Sequence, residues 1–166
     1  MLKNLGLAEV GESDLLFLKV EIFSEFNFCG NYKTEMVPIF KFNKSLLVRV
    51  FDLPTLMATK IRAVLFRKWL KKNKKGEVLA IVKGRDYFDL LWYLDKGVEP
   101  NLSCLDHNSM ADLKKDLINM VGQADARSIK SDLEPLIADT KFVDNFSKDF
   151  EEILKKKIGE IATKSS

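Results

Sequence analysis

In the stretch KGRDYFDLLWYL, Lys83 to Leu94, three charged side chains follow Gly84 in the opening turns of a largely apolar segment: Arg85, Asp86 and Asp89. On a helix Asp86 and Asp89 share a face, and Arg85 precedes Asp89 by about one turn, so the three form a compact cluster. Upstream, Lys60 has Leu56, Met57, Ala63 and Val64 at its helical neighbour positions. Its stem therefore lies on a largely apolar surface, and its ammonium needs an anion. The acidic pair could hold that lysine across two packed helices. A purely structural arrangement uses the same residues: Asp86 complements a helix N-terminus, Arg85 pairs with Asp89, and Lys60 reaches solvent. Spacing alone leaves both arrangements open.

The single histidine, His107, excludes a histidine-based metal site and argues against a histidine base. No P-loop, dinucleotide-binding, nucleophile-elbow or zinc-protease signature occurs. Cys29 and Cys104 lie far apart without CxxC or metal-ligand spacing, so neither a zinc site nor a disulfide is indicated, and a reduced, cytoplasmic chain is expected. A formal charge of +3 on 166 residues is too small to imply a polyanionic partner by itself. The lysine run KKNKKG, Lys71 to Gly76, reads as a solvated loop at a helix C-terminus, with a nucleic-acid contact as the alternative. Apolar runs are interrupted well before the ~20 residues that span a bilayer, so no membrane segment is expected.

These residues need elements to position them. Leu16, Leu18, Val20 and Ile22 alternate with Phe17, Lys19, Glu21 and Phe23, the pattern of a half-buried strand with Glu21 on the face opposite the first set. Two further strands are predicted over Met36 to Phe42 and Leu46 to Phe51, joined by a turn at FNKS, with Pro38 marking an edge. After Pro54 the period becomes helical and continues toward KKNKKG. A second helix begins near Gly84 and stops before Gly97 and Pro100, burying Leu90, Leu91 and Leu94. Ser109 with Asp112 forms a capping pair for a third helix, a fourth runs from Ser128 toward Ile137, and a last one places Phe142, Phe146, Phe150 and Ile153 on one stripe. The expected fold class is α+β: a small N-terminal mixed or antiparallel sheet over residues 1–53, then a C-terminal helical bundle over residues 54–166. The bundle carries Lys60 and the RDxxD motif.

Taken together, LKVEIF (Leu18 to Phe23), FDLPTLMATKIRAVLFRKW (Phe51 to Trp69), KGRDYFDLLWYL and EPNLSCL (Glu99 to Leu105) resemble, in order and spacing, the later motifs of the AbiEii/AbiGii toxin family of nucleotidyltransferases. The resemblance is close from Leu15 to Leu105 and looser over SDLEPLIADTKFVDNFSKDF. It implies that the sheet is part of a nucleotidyltransferase-type fold, with the helical lobe closing over a nucleotide. It implies a role in toxin–antitoxin or phage-defence systems, an NTP substrate, an acceptor such as tRNA, Mg²⁺ as cofactor and an antitoxin partner. Carried over residue by residue, Lys60 matches the lysine that contacts the triphosphate and Asp86 the essential aspartate. Asp89 supports Asp86, Arg85 orients it, and Glu21 is the acidic strand residue that would face the metal. The chemistry suits these types. Transfer at an α-phosphorus needs a cation for the departing pyrophosphate, and a carboxylate near the acceptor hydroxyl can take its proton or fix the lysine.

The family's opening Gly-Ser and Asp-x-Asp motif does not precede LKVEIF in this sequence. The chain therefore corresponds to the C-terminal part of such an enzyme, with weak or no metal binding, and is expected to be inactive or nearly so by itself. A non-catalytic module that binds RNA or protein is the alternative function. Strand edges left uncovered would favour self-association.

Overall fold

The computed structural model describes residues 28–162, so the strand expected over Leu15 to Phe23 and the candidate metal ligand Glu21 lie outside the described residues. The chain enters on a hairpin of β1 (Thr34–Lys41) and β2 (Lys44–Phe51), antiparallel and closed by the Lys41–Lys44 pair. Phe42 and Asn43 fill its two-residue turn at φ of 52° and 56°, the doubly positive conformation whose twist matches the strands it joins. Pro38 faces Leu47, three pairs from the turn. There its nitrogen points away from β2 and its missing N–H costs the ladder nothing. The tip of the hairpin is apolar and exposed, with Phe40 and Leu47 largely open and Phe42 94% exposed.

The base of the hairpin is bound to the helices by polar contacts. Asp52 caps α1 (Leu53–Phe66), its side chain accepting from the Thr55 amide at 3.0 Å. The Thr55 hydroxyl in turn accepts from the Lys33 amide at 3.2 Å and from Asn101 Nδ2 at 3.3 Å. At the same corner Cys29 and Cys104 form a disulfide that closes a 75-residue separation. This corrects the expectation of two reduced, unrelated cysteines. Their pairing follows from the fold bringing both into the core, and sequence spacing carries no trace of such proximity.

The first helix also ends earlier than its apolar pattern suggests. Arg67 leaves the helix in extended conformation, and Lys71–Lys72 (β3) pairs antiparallel with Val78–Ala80 (β4) around Gly76 at φ 83°. Asn73 ties this small hairpin together by accepting from the Lys75 and Glu77 amides at 2.9 Å and 3.0 Å. The lysine run is therefore a structured turn rather than an open loop. A strand of two lysines has no apolar alternation by which to announce itself.

Helix α2 (Gly84–Asp95) follows and is terminated by Gly97 at φ 64°. A short 3₁₀ turn (Leu102–Cys104) leads to α3 (Met110–Gln123), where Ser109 accepts from the Asp112 amide at 3.1 Å and donates to the Asp112 carboxylate at 2.7 Å. Helix α4 (Ala126–Leu133) is capped by Asp125, so it starts and stops before the expected bounds. In α5 (Thr140–Glu160) the buried stripe is Val143, Phe146, Phe150, Leu154 and Ile158, while Phe142 is 41% exposed. The stripe is thus rotated from the one that the phenylalanines alone suggest. Met57 and Ile61 of α1, Leu90 of α2, Leu113 and Leu117 of α3 and Ile129 of α4 complete one core. No helix among the described residues is long and apolar enough to cross a membrane.

Helices α2 and α4 meet so closely that a Cβ on Gly84 would lie 2.7 Å from the Ile129 carbonyl oxygen. Gly84→Ala should therefore cost about 1–3 kcal/mol through forced separation of the two helices. Urea unfolding checks this, and an unchanged midpoint would contradict the close approach. Alkylation of the unfolded chain should label none of its 2 cysteines before reduction and both after it. Cys104→Ser should lower stability by about 2–4 kcal/mol.

Candidate functional site

The close α1–α2 packing decides what the charged cluster becomes. Lys60, on the second turn of α1, extends its ammonium to Asp89 Oδ2 at 2.6 Å and stands 3.9 Å from Asp86 Oδ1. Arg67, two turns after Lys60 and just past the end of α1, brings Nη1 to 3.2 Å from Asp86 Oδ2. Asp86 is thereby held between two cations. Its side chain is only 4% exposed, whereas those of Lys60 and Asp89 are 32% and 31% exposed.

Burying a carboxylate this fully costs several kcal/mol, and only close cations offset such a cost. Asp86 also lies in the first turn of α2, where backbone N–H groups favour negative charge. Its carboxylate does not cap the helix, however, and is directed to the cations of α1. Although Arg67 is close, the contact is not aligned as a hydrogen bond, and Asp86 Oδ2 has no hydrogen-bond partner among the described residues. The charge is balanced while a lone pair stays open.

Of the residues singled out from the sequence, Lys60, Asp86 and Asp89 come together. Arg85 does not pair with Asp89 among the described residues; it is exposed, and its backbone N–H donates to Asp132 Oδ2 at 3.0 Å. Arg67 takes the position beside the carboxylate that Arg85 was expected to hold. Its signal was available, since a residue seven after Lys60 shares its helical face.

Two concavities flank the cluster. One, of about 320 Å³, is bounded by Lys60, Asp89, Phe88, Trp92 and Tyr93. The other, of about 310 Å³, is bounded by Arg67, Lys68, Trp69, Lys83, Asp86 and Tyr87 among others. Burial, and then the adjacent Asp86 charge, pushes the Tyr87 hydroxyl up to about 12. Burial and Asp89 raise that of Tyr93 in the same way. Both phenols stay protonated at neutral pH and can only donate or accept hydrogen bonds there.

No group of three or more His, Cys, Asp or Glu side chains among the described residues is placed to hold a metal. Asp86 and Asp89 are committed to an ammonium and a guanidinium. They do not fit Mg²⁺, which takes several oxygen ligands at once. His107 is remote in role as well: its Nε2 meets Asp116 Oδ2 at 3.1 Å on α3.

The family model described as "Nucleotidyl transferase AbiEii toxin, Type IV TA system" matches residues 7–161. No curated protein and no solved structure matches the chain.

The buried tyrosine sets a pH dependence. An unfolded tyrosine ionises near 10, whereas folded Tyr87 holds its proton to about 12. The unfolded state therefore releases a proton that the folded state keeps. Tyr87's contribution to stability is complete below pH 10 and is lost as pH rises toward 12, at up to ~1.4 kcal/mol per pH unit. Urea unfolding across this window should show a shallower decline in Tyr87→Phe than in the parent chain.

Proposed function

We propose, from the premise that this chain belongs to the AbiEii family of nucleotidyltransferase toxins, that its helical lobe holds the phosphates of an NTP at Lys60 and presents Asp86 to the acceptor. The family is a type IV toxin–antitoxin family, which implies an antitoxin partner and an NTP substrate. The observation that carries the reading is the Lys60–Asp86–Asp89 contact, with its 2.6 Å and 3.9 Å separations at the edge of an open cavity. An ammonium so held is oriented yet one-third exposed, and a multiply charged phosphate can draw it from Asp89 at little cost in reorganisation.

In this reading the acceptor is a hydroxyl of an RNA end, as on tRNA. Its oxygen bonds to the α-phosphorus, the bond from that phosphorus to the bridging oxygen breaks, and pyrophosphate departs beside Lys60. The hydroxyl proton passes to the Asp86 carboxylate. Asp89 steers the ammonium, and Arg67 holds Asp86 in place. Nucleotidyltransferases generally use a divalent metal, which neutralises phosphate charge.

Filter binding of radiolabelled ATP should weaken about tenfold on Lys60→Ala, the loss expected for one charge-assisted contact. In transfer assays with labelled NTPs, Mg²⁺ and total tRNA, the isolated chain should give only low incorporation, and Asp86→Asn should remove it. Robust transfer that survives Asp86→Asn would overturn the assignment.

A further inference from the structure

The β1–β2 hairpin presents a sheet edge to which no further strand is paired among the described residues. In a two-residue hairpin the closing pair, here Lys41–Lys44, exchanges both of its hydrogen bonds, and such pairs then alternate along the ladder. Lys44, Leu46, Val48 and Val50 therefore turn their backbone groups toward β1, while Ser45, Leu47 and Arg49 turn theirs to the outer edge of β2. The outer edge of β1 differs in one respect. Pro38 stands in its middle and has no N–H to offer, a device that closes sheet edges to further strands. Each hairpin thus keeps one edge that is competent to pair. Leu46 and Leu47 on that strand are 60% and 65% exposed, and a two-stranded hairpin alone is only marginally stable in water.

Strand β2 is complementary to itself. Antiparallel pairing about a two-fold axis must set outward-turned residues opposite one another, so near the middle of the strand the axis passes through Leu47, Val48 or Arg49. An axis at Arg49 opposes two like charges, and one at Leu47 sets Lys44 against the partner's Val50. With the axis at Val48, Val48 meets the partner's Val48, Leu46 meets the partner's Val50, and Leu47 exchanges backbone hydrogen bonds with the partner's Arg49. Carried one residue past the strand, this register sets Lys44 opposite the partner's Asp52, so opposite charges meet at both ends. We infer that the open edge of β2 is an interface for a second copy of this chain, joined antiparallel about Val48 into a four-stranded sheet. The pairing consumes both open edges and leaves only the two that Pro38 interrupts, so association stops at a dimer instead of continuing as a filament. The inference does not rest on the role of Lys60.

Sedimentation velocity of the full chain should show a mass that rises with concentration from that of one chain to that of two, and no further. At the axis a non-hydrogen-bonded antiparallel pair brings the Cα atoms to about 4.5 Å, within the span of a disulfide. Val48→Cys should therefore give a covalent dimer with glutathione disulfide as oxidant, each new bond releasing two glutathione thiols. Leu47→Cys, which faces Arg49, should not. Val48→Lys opposes like charges on the axis and should raise the dimer dissociation constant roughly tenfold or more. Circular dichroism checks that the variants fold. Hydrogen exchange of the parent chain adds a readout without substitution, since the Leu47 and Arg49 amides should gain protection as concentration rises.

The inference is overturned by a single-chain mass at every concentration, by masses beyond two chains, by equal cross-linking at positions 47 and 48, or by a Val48→Lys mass profile identical to the parent's. Protection of the Leu47 and Arg49 amides that is independent of concentration also overturns it, and assigns the edge to the chain's own residues 1–27, which lie outside the described residues.

Discussion

A single buried carboxylate organises the molecule. Asp86 sits where α2 begins, almost out of water, and that position is tolerable only because α1 sends cations to both of its oxygens. Coulombic attraction at these distances is worth little in water and much more where solvent is excluded. The α1–α2 register is therefore constrained twice: by the fit of Met57, Ile61 and Leu90 in the core, and by the need to bring Lys60 and Arg67 opposite Asp86. Gly84 adds a third constraint from the other side. With no side chain it lets α4 approach the start of α2.

The hairpin joins this assembly at one corner. Thr55 serves as the junction, buried at the first turn of α1 and bonded both to the hairpin base and to Asn101. The Cys29–Cys104 bond closes the same corner covalently. Two kinds of restraint thus converge on the N-terminal end of α1, while the hairpin tip carries exposed apolar side chains.

The charges hold Lys60 between two carboxylates of unequal burial. Lys60 is paired at short range with the half-exposed Asp89 and at longer range with the buried Asp86. The Asp89 contact is the shorter and the more exposed to water, so it is the more strongly screened of the two. Arg67 meanwhile meets the buried partner at its other oxygen. This division sets one carboxylate at 2.6 Å from the ammonium and buries the other beside a guanidinium.

Local chemistry settled much of this in advance. The helical period around Lys60, the acidic face of α2, the Ser109–Asp112 cap and the FNKS turn each depend on residues a few positions apart, and backbone geometry links such residues whatever the rest of the chain does. The cluster of Lys60, Asp86 and Asp89 was legible for the same reason, together with the order of its motifs. What tertiary structure decided is of another kind. It replaced Arg85 by Arg67, joined Cys29 to Cys104, folded the lysine run into β3 and β4, and rotated the buried stripe of α5 away from Phe142. Each of these depends on which distant surface arrives opposite a given side chain. Proximity of that sort is a property of packing between elements, and no spacing along one element encodes it.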